Sequence, residues 1–436
     1  MNNNVFDSVG YKRTRTAYVL QCMFEYFVSI LVTDAFIAKI LGRLGVSEAN
    51  IGIITTIISL AMAFQLFSIM VAKLKTNVKI ITLCFSTVSN LFFSLLYLVP
   101  FFTIADTVKR YLAVILIVVA YFCLYVSSPV QYKWAYKFVQ QEKRAMFSAT
   151  KEMISLVAGS IFSIITGVVI DRFEGLGNVD GAFKFIAISA FVVSACNFVC
   201  ILLMNRDPKE QQEVENKPGL RDVMNNTFGK KGFRVCLYAL SLWEFTRYFQ
   251  LGFMGSFKNT MIGDSGVFSS PMLAIQIINL SGSVLRILIS YPIARFSDRK
   301  GYDKGFLAGL VIAGSAFLCN TFTTSSTWYL IIIYTLLHLA SYSGITSNSF
   351  NILYSYVDDA YFAQALAIKN CITGVCGFVA AIIAGRLLTF VNENGLFGMS
   401  LYGQQVLSAV SFILTVFVFI IVKFVVCKQK WTGTTN

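Results

Sequence analysis

The feature that most constrains the fold is a series of apolar runs, each about 20 residues long, that recurs along nearly the whole chain. That is the length an α-helix needs to cross the hydrocarbon core of a membrane. With 56% hydrophobic and 13% charged residues, the chain is too apolar for a soluble protein. The runs lack the alternation of strands, and unpaired backbone cannot face lipid. The sequence therefore predicts an all-α, multi-pass membrane protein.

One polar segment, Asn205 to Lys231, interrupts the apolar runs near the middle of the chain and contains two of its six prolines. Six runs precede it and six follow, which predicts twelve transmembrane helices in two six-helix bundles. We predict bundles over residues 1–204 and 232–436 and a cytoplasmic connector over 205–231. The predicted spans, numbered 1 to 12, are 17–41, 50–72, 80–101, 111–138, 146–170, 182–204, 233–257, 272–294, 305–324, 327–355, 364–389 and 404–426.

The positive charges indicate the orientation of these spans. Most of the 36 lysines and arginines lie in segments that face the cytoplasm if the N-terminus is inside. Both termini are therefore predicted to be cytoplasmic, most simply in a plasma membrane. The net charge of +14 is explained by this topology and by anionic lipid, so no nucleic-acid partner is expected.

Spans 5 and 11 reveal an internal repeat. At the fixed offset that places Gly167 on Gly385, Lys151 falls on Lys369 and Gly159 falls on Gly377. Small residues on one helix face allow close approach of a second helix. The two halves are therefore predicted to be parallel repeats of six spans.

The segment after span 8, Ile293 to Lys304, resembles the inner-loop signature of the major facilitator superfamily, G-x-x-x-D-R-x-G-x-R/K-R/K. The segment after span 2, VAKLKTNVKII, keeps only basic character. Four residues match the signature and two depart from it: Asp298, Arg299, Gly301 and Lys304 match, whereas Ala294 and Asp303 replace a glycine and a basic residue.

The resemblance covers the whole chain through its span count, repeat and connector, and it implies the fold and alternating-access transport of that superfamily. It also implies that Asp298 helps to close the inner side, with the start of span 11 around Lys369 as its candidate partner. The alternative for Asp298 and Arg299 is a solvated turn that follows the positive-inside rule.

The residues favour a transporter over an enzyme. The chain has no phosphate-binding G-x-x-x-x-G-K-[ST] motif, which argues against ATP drive. His338 is the single histidine, and no nucleophile and base pair or metal-ligand spacing is visible. We therefore expect no catalytic residues, no cofactor and no metal. A membrane receptor or scaffold that does not transport is the alternative from another class.

Charged and polar side chains within the spans are the candidate solute and proton pathway, because they are costly in a membrane. Glu25 or Asp34 could carry a proton. Glu244 and Arg247 could instead satisfy each other on one helix face. Lys133 could snorkel to the interface, and His338 could form a hydrogen bond between helices. The candidates are Glu25, Asp34, Lys133, Glu244, Arg247, Arg286, His338, Asn348 and Asn351.

The charges leave the solute class open. Arg247, Arg286 and Lys133 favour an anion, since a guanidinium gains most from a carboxylate or phosphate. Glu25, Asp34 and Glu244 favour protons or cations. The prediction is a monomer that moves a small organic anion or polar amphiphile together with protons. Export of lipophilic cationic drugs is the alternative.

Overall fold

The structure is a computed structural model that describes residues 8–71, 77–140, 144–206, 225, 227–263, 265–357, 362–395 and 401–428. Within these ranges it is helical, with no strand. Most of the predicted connector lies outside the described residues. The helices of spans 1 to 6 are Val9–Leu31 and Asp34–Arg43, then Glu48–Thr55, Ile57–Ala61 and Gln65–Val71, then Val78–Leu96, Asp106–Tyr136, Arg144–Gly175 and Val179–Leu203. Those of spans 7 to 12 are Lys231–Leu251 and Met254–Gly263, then Pro271–Lys300, Tyr302–Thr321, Tyr329–Tyr354, Phe362–Asn394 and Gly403–Ile421.

Ten helices among the described residues are long and apolar enough to cross a membrane. The other two spans, 1 and 7, are each interrupted, which the sequence did not predict. In span 1 the Thr33 hydroxyl donates to the carbonyl oxygen of Ser29 at 3.0 Å, and Asp34 adopts a φ of 48°. Aspartate tolerates that left-handed conformation better than most residues. In span 7 the break falls at Gly252, a weak helix former.

The segment that resembles the superfamily signature is helical rather than a loop. The helix of span 8 continues to Lys300, and a single residue, Gly301, separates it from the helix of span 9. Gly301 has a φ of 111°, which a residue without a side chain adopts freely, and its N–H donates to the carbonyl oxygen of Ser297 at 2.8 Å. The apolar run ends near residue 294, but backbone hydrogen bonding continues through the polar residues that follow.

The chain divides into two compact units. Unit 1 comprises residues 1–46 and 64–216, and unit 2 comprises 47–63 and 217–436. Five pairs of spans pack in the same way within each unit. Spans 1–5, 1–6, 2–4, 3–4 and 3–6 pack in unit 1, and spans 7–11, 7–12, 8–10, 9–10 and 9–12 pack in unit 2. The predicted repeat thus appears as a repeated set of helix contacts.

The first part of span 2, residues 47–63, belongs to unit 2, where it packs against span 11. The Ser59 hydroxyl donates to the carbonyl oxygen of Gly374 at 2.9 Å, and the Thr55 hydroxyl donates to that of Gly252 at 2.7 Å. A Cβ atom on Gly374 would lie 2.3 Å from the Ser59 carbonyl oxygen, so this crossing requires glycine. Span 2 changes unit where its helix narrows to a 3₁₀ turn at Met62–Phe64.

Candidate functional site

Span 7 carries an ion pair in unit 2. Glu244 and Arg247 lie three residues apart, and Arg247 Nη1 is 3.4 Å from Glu244 Oε2. Their side chains are only 13% and 16% exposed, so the pair is largely withdrawn from solvent. The helical spacing places both groups on one face, as expected for residues three apart. The structure therefore places these two candidates together as partners of each other.

The Arg247 guanidinium also contacts two tyrosines. It donates from Nη2 to the Tyr248 hydroxyl at 3.0 Å and lies 4.6 Å from the centre of the Tyr248 ring. It lies 5.3 Å from the centre of the Tyr342 ring in span 10. Arg286 of span 8 lies over the same Tyr342 ring at 5.5 Å. Two guanidinium groups from different spans therefore meet one tyrosine, and such contacts are favourable because the ring face is negative.

His338 extends this arrangement along span 10. Its Nε2 lies 3.2 Å from the Tyr342 hydroxyl, within hydrogen-bond distance. Its ring stacks on Tyr334 with centroids 5.3 Å apart and planes 18° apart. His338 is buried, and Phe317 of span 9 lies beside it at 5.7 Å. The result is a continuous row of aromatic and cationic groups, which we call the span 10 row: Tyr334, His338, Tyr342, Arg286 and Arg247.

Lys369 of span 11 lies near the Glu244 and Arg247 pair. It donates to the Asn370 side-chain oxygen at 3.2 Å and interacts electrostatically with Glu244 and Arg247. Asp298, its expected partner, is exposed and forms no ion pair or hydrogen bond within the described chain. The remaining signature residues Arg299, Gly301 and Lys304 lie at the helix ends beside Asp298, where Arg299 and Lys304 are exposed.

The two candidate asparagines of span 10, Asn348 and Asn351, make contacts outside the span 10 row. Asn348 is buried and donates to the Gly344 carbonyl oxygen at 2.6 Å, next to Gly305 of span 9. It supports the packing of spans 9 and 10. Asn351 is half-buried, and its backbone carbonyl oxygen accepts a hydrogen bond from the Ser355 hydroxyl at 2.8 Å. Neither asparagine is joined to the row by a hydrogen bond that the structure shows.

In unit 1, Glu25 ends a chain of buried amides. Gln131 of span 4 donates to Gln21 at 2.5 Å, and Gln21 donates to the Glu25 carboxylate at 2.5 Å. Asn197 of span 6 donates to the Gln21 carbonyl oxygen at 3.1 Å. Lys151 of span 5 interacts electrostatically with Glu25. These hydrogen-bonded amides, supported from spans 4 and 6, thus hold the Glu25 carboxylate in one orientation.

The other two candidates of unit 1 lie apart from this chain of amides. Asp34 begins the second helix of span 1, and that helix is tied by Lys39 to Glu174 at 2.7 Å. Lys133 is exposed in the last turn of span 4. Among the described residues, no three His, Cys, Asp or Glu side chains are close enough to hold a metal ion.

Three residues that interact with the candidate site residues were not predicted from the sequence: Tyr342, Gln21 and Lys151. Tyr342 and Gln21 each form contacts that depend on neighbouring spans, which no local pattern reveals. Lys151 carried a usable signal, since it falls on Lys369 in the repeat and both lie near a glutamate of the first span of their half.

Comparison with solved structures shows the same fold. The nucleoside transporter NupG has a TM-score of 0.71 at 13% identity, covering 97% of this chain and 100% of that one. A D-xylose-proton symporter has a TM-score of 0.68 at 11% identity, covering 97% and 99%. A bacterial homolog of the human lysosomal transporter Spinster has a TM-score of 0.66 at 14% identity, covering 99% and 100%. No curated protein sequence matches this chain.

A family model described as Major Facilitator Superfamily matches residues 16–290. That range is more than half of the chain, and it includes all of spans 1 to 6 apart from the first turns of span 1. The structures that share the fold are transporters of different solutes. On the strength of the match and the twelve-span repeat, this chain belongs to the major facilitator superfamily.

Proposed function

We propose that this chain is a secondary active transporter that carries a small organic anion or polar amphiphile by alternating access, together with protons. The main observation that supports an anionic solute is the environment of Arg286. Its guanidinium is exposed, lies over the Tyr342 ring, and has no carboxylate partner within the described chain. A guanidinium without an anionic partner gains most from a bidentate carboxylate or phosphate.

The neighbours of Arg286 support the same assignment. Arg247 is already neutralised by Glu244, so Arg286 adds a net positive charge to the span 10 row. The row also offers the ring of Tyr342 beside Arg286, which favours a solute with a flat apolar part. A carboxylate or phosphate attached to an aromatic or sugar ring fits this chemistry.

Proton coupling is supported by half-buried carboxylates within the spans and by the absence of an ATP-binding motif in the sequence. Two of these acids have polar partners: Glu25 accepts a hydrogen bond from Gln21, and Glu244 is paired with Arg247. One protein of the same fold is a D-xylose-proton symporter, which is an example of such coupling on this scaffold.

The proposed setting is a plasma membrane with both termini in the cytoplasm, and the protein acts as a monomer without a cofactor or enzymatic activity. The bundles 1–204 and 232–436 would move about the connector 205–231. We also propose that Asp298, Arg299, Gly301 and Lys304 form the inner gate. The start of span 11 around Lys369 is the candidate partner of Asp298 in this gate.

Flux into reconstituted vesicles tests the function. The panel contains benzoate, citrate, uridine monophosphate, benzamide and tetraphenylphosphonium, and it is run with wild type, Arg286→Ala and Arg295→Ala. Arg295 is an exposed arginine later in the same helix and serves as the matched control. We expect flux of at least one anion, which Arg286→Ala reduces by about tenfold or more and Arg295→Ala leaves unchanged.

Two outcomes would contradict the proposal. If tetraphenylphosphonium moves and no anion does, the chain is a cation transporter and Arg286 is not its anchor. If purified protein binds a panel member without flux of any, a receptor is the better reading.

A further inference from the structure

Lys151 has an unusual environment in unit 1. Its side chain is half-buried in span 5, and its ammonium lies 5.8 Å from the centre of the Tyr18 ring and 6.0 Å from that of Tyr132. In the described chain it donates no hydrogen bond and forms no ion pair. An ammonium carries three N–H donors, which are costly to withdraw from water without acceptors. Lys151 is therefore ready to receive an acceptor that the protein does not supply.

Glu25 is near enough to interact electrostatically with Lys151 but does not pair with it directly. Its carboxylate instead accepts the hydrogen bond from Gln21, which Gln131 orients. The amides can hold the glutamate in either protonation state, because a carboxylic acid keeps an oxygen that accepts. The carboxylate can thus gain or lose a proton without losing its position.

We propose that Lys151 binds the anionic group of a carried solute and that Glu25 takes up the proton that moves with it. This inference rests on the proposed function and adds to it the side chains of unit 1 that couple anion to proton. Glu25 is a predicted pathway residue, whereas the role of Lys151 is new.

The coupling follows from charge. When Glu25 is ionised, an anion at Lys151 places two negative charges about one positive charge. A proton taken from water onto the Glu25 carboxylate removes one of them, so the anion binds better to the protonated form. By linkage, the bound anion favours protonation by the same factor. Anion and proton are then bound together and released together, which is symport.

The other titratable side chains around this pair are Tyr18 and Cys22 on span 1 and Tyr132 and Tyr136 on span 4, none of which is a carboxylic acid or a base. From span 6 the contact is Asn197, a polar group that does not titrate. The charge balance that decides the coupling is therefore that of Glu25, Lys151 and the solute.

Four variants in reconstituted vesicles test the inference: Glu25→Gln, Lys151→Gln, Lys151→Arg and Lys184→Gln. Lys184 is the matched control, because its ammonium also lies over an aromatic ring, Phe101, at 5.1 Å in the same unit. Uptake of benzoate, citrate and uridine monophosphate is measured in two ways. One assay follows accumulation driven by an inward proton gradient, and the other follows counterflow without a gradient.

Glu25→Gln cannot release a proton, so we expect counterflow to persist and gradient-driven accumulation to be lost. Lys151→Gln should raise the half-saturating concentration of the carried anion by about tenfold or more, as expected for a lost charge-assisted hydrogen bond. Lys184→Gln should match wild type in both assays. Lys151→Arg keeps the charge and should retain most of the affinity, which guards against a misfolded Lys151→Gln protein.

The failures are distinguishable. If wild type carries none of the three anions, the proposed function is wrong and this inference falls with it. If wild type carries an anion and Lys151→Gln behaves as Lys184→Gln does, Lys151 is not an anchor and the proposed function stands. If Glu25→Gln still accumulates the anion against its gradient, the proton is carried elsewhere.

Discussion

The two halves of the chain place a glutamate on their first span and a lysine on their fifth, yet they leave these charges in different states. In unit 2, Glu244 is paired with Arg247 at 3.4 Å and lies near Lys369. In unit 1, Glu25 is held by an amide, and Lys151 has no direct partner in the described chain. The charges of unit 2 therefore form a closed pair, in which each charge has a partner. Those of unit 1 are open, because they can still accept a ligand or a proton.

The sequence explains the difference at the repeat offset, 369 − 151 = 218. At this offset Arg247 falls on Ser29, so unit 1 has no cation one turn beyond its glutamate. The Ser29 hydroxyl donates to the Tyr26 carbonyl oxygen at 2.9 Å and offers no charge. Likewise His338 falls on Ala120 and Tyr342 on Leu124. The repeat keeps the helix packing but not the chemistry, which is what a scaffold with two specialised halves requires.

The largest effect should come from removing the cation of the closed pair. Arg247→Met leaves Glu244 withdrawn from solvent beside Lys369 alone, and breaking a buried pair costs roughly 3–5 kcal/mol. Lys151→Met removes only two contacts with ring faces, each worth about 0.5–1 kcal/mol. We therefore expect a much larger loss of unfolding free energy for Arg247→Met. Urea titration in detergent micelles, followed by circular dichroism, measures both.

The double variant Glu244→Gln with Arg247→Met is the control, because it removes both charges and should recover part of the lost stability. Equal losses for Arg247→Met and Lys151→Met would mean that the two pairs are energetically alike, and the distinction between closed and open would be wrong.

A second difference concerns how span 11 is packed. Gly374 meets the Ser59 backbone so closely that a methyl group would lie 2.3 Å from a carbonyl oxygen. At the repeat offset its counterpart in span 5 is Leu156. Gly374→Ala should cost about 1–3 kcal/mol, as overpacking does. Thermal unfolding of the purified protein followed by tryptophan fluorescence should show a lower midpoint.

Gly314→Ala is the matched control for this substitution. It lies in the helix of span 9, and its nearest contact with an added Cβ would be an ordinary 3.5 Å to Thr415. There alanine should be neutral or stabilising by up to about 1 kcal/mol through its higher helix propensity. A neutral Gly374→Ala would show that the span 2 segment is not tightly held against span 11.

Most of the fold could be predicted because it depends on run length and hydrophobicity, which are local properties. The twelve spans, the two halves and the absence of strands in the described chain follow from them. The breaks in spans 1 and 7 could not be predicted in this way. One depends on the Thr33 hydroxyl and the φ of Asp34, and the other on Gly252, whose carbonyl oxygen accepts from Thr55 of another span.

The site was predictable only where a helix brings its own residues together. The spacing of Glu244 and Arg247 indicated a pair, and the structure has that pair. The family resemblance gave Lys369 as the candidate partner of Asp298, and that pairing stays a prediction, whereas the interaction of Lys369 with Glu244 was not predicted. The role of Tyr342 depends on residues of spans 7, 8 and 10 together, and no spacing within one span encodes it.

The smallest expected effect concerns Asp303. This acid lies in the signature segment of unit 2, whereas the segment after span 2 in unit 1, VAKLKTNVKII, contains no acid. Cys427 lies just beyond span 12, where burial and the hydrogen bond with the Asp303 carboxylate raise the pKa of its thiol to about 12. The nearby Lys304 acts in the opposite direction. The folded state therefore favours the neutral thiol, and the stability this gives is present below about pH 8.5 and is lost as the pH rises towards 12.

Because the thiolate is the nucleophile, Cys427 should react slowly with maleimide at pH 8. In a protein that keeps Cys427 and has the other nine of its ten cysteines replaced by serine or alanine, Asp303→Asn should speed the reaction several-fold. Lys304→Gln should slow it, since it removes a cation that favours the thiolate. Mass spectrometry of quenched samples gives the rates. If Asp303→Asn leaves the rate unchanged while unfolding in detergent raises it, burial alone protects the thiol and Asp303 does not hold the end of span 12.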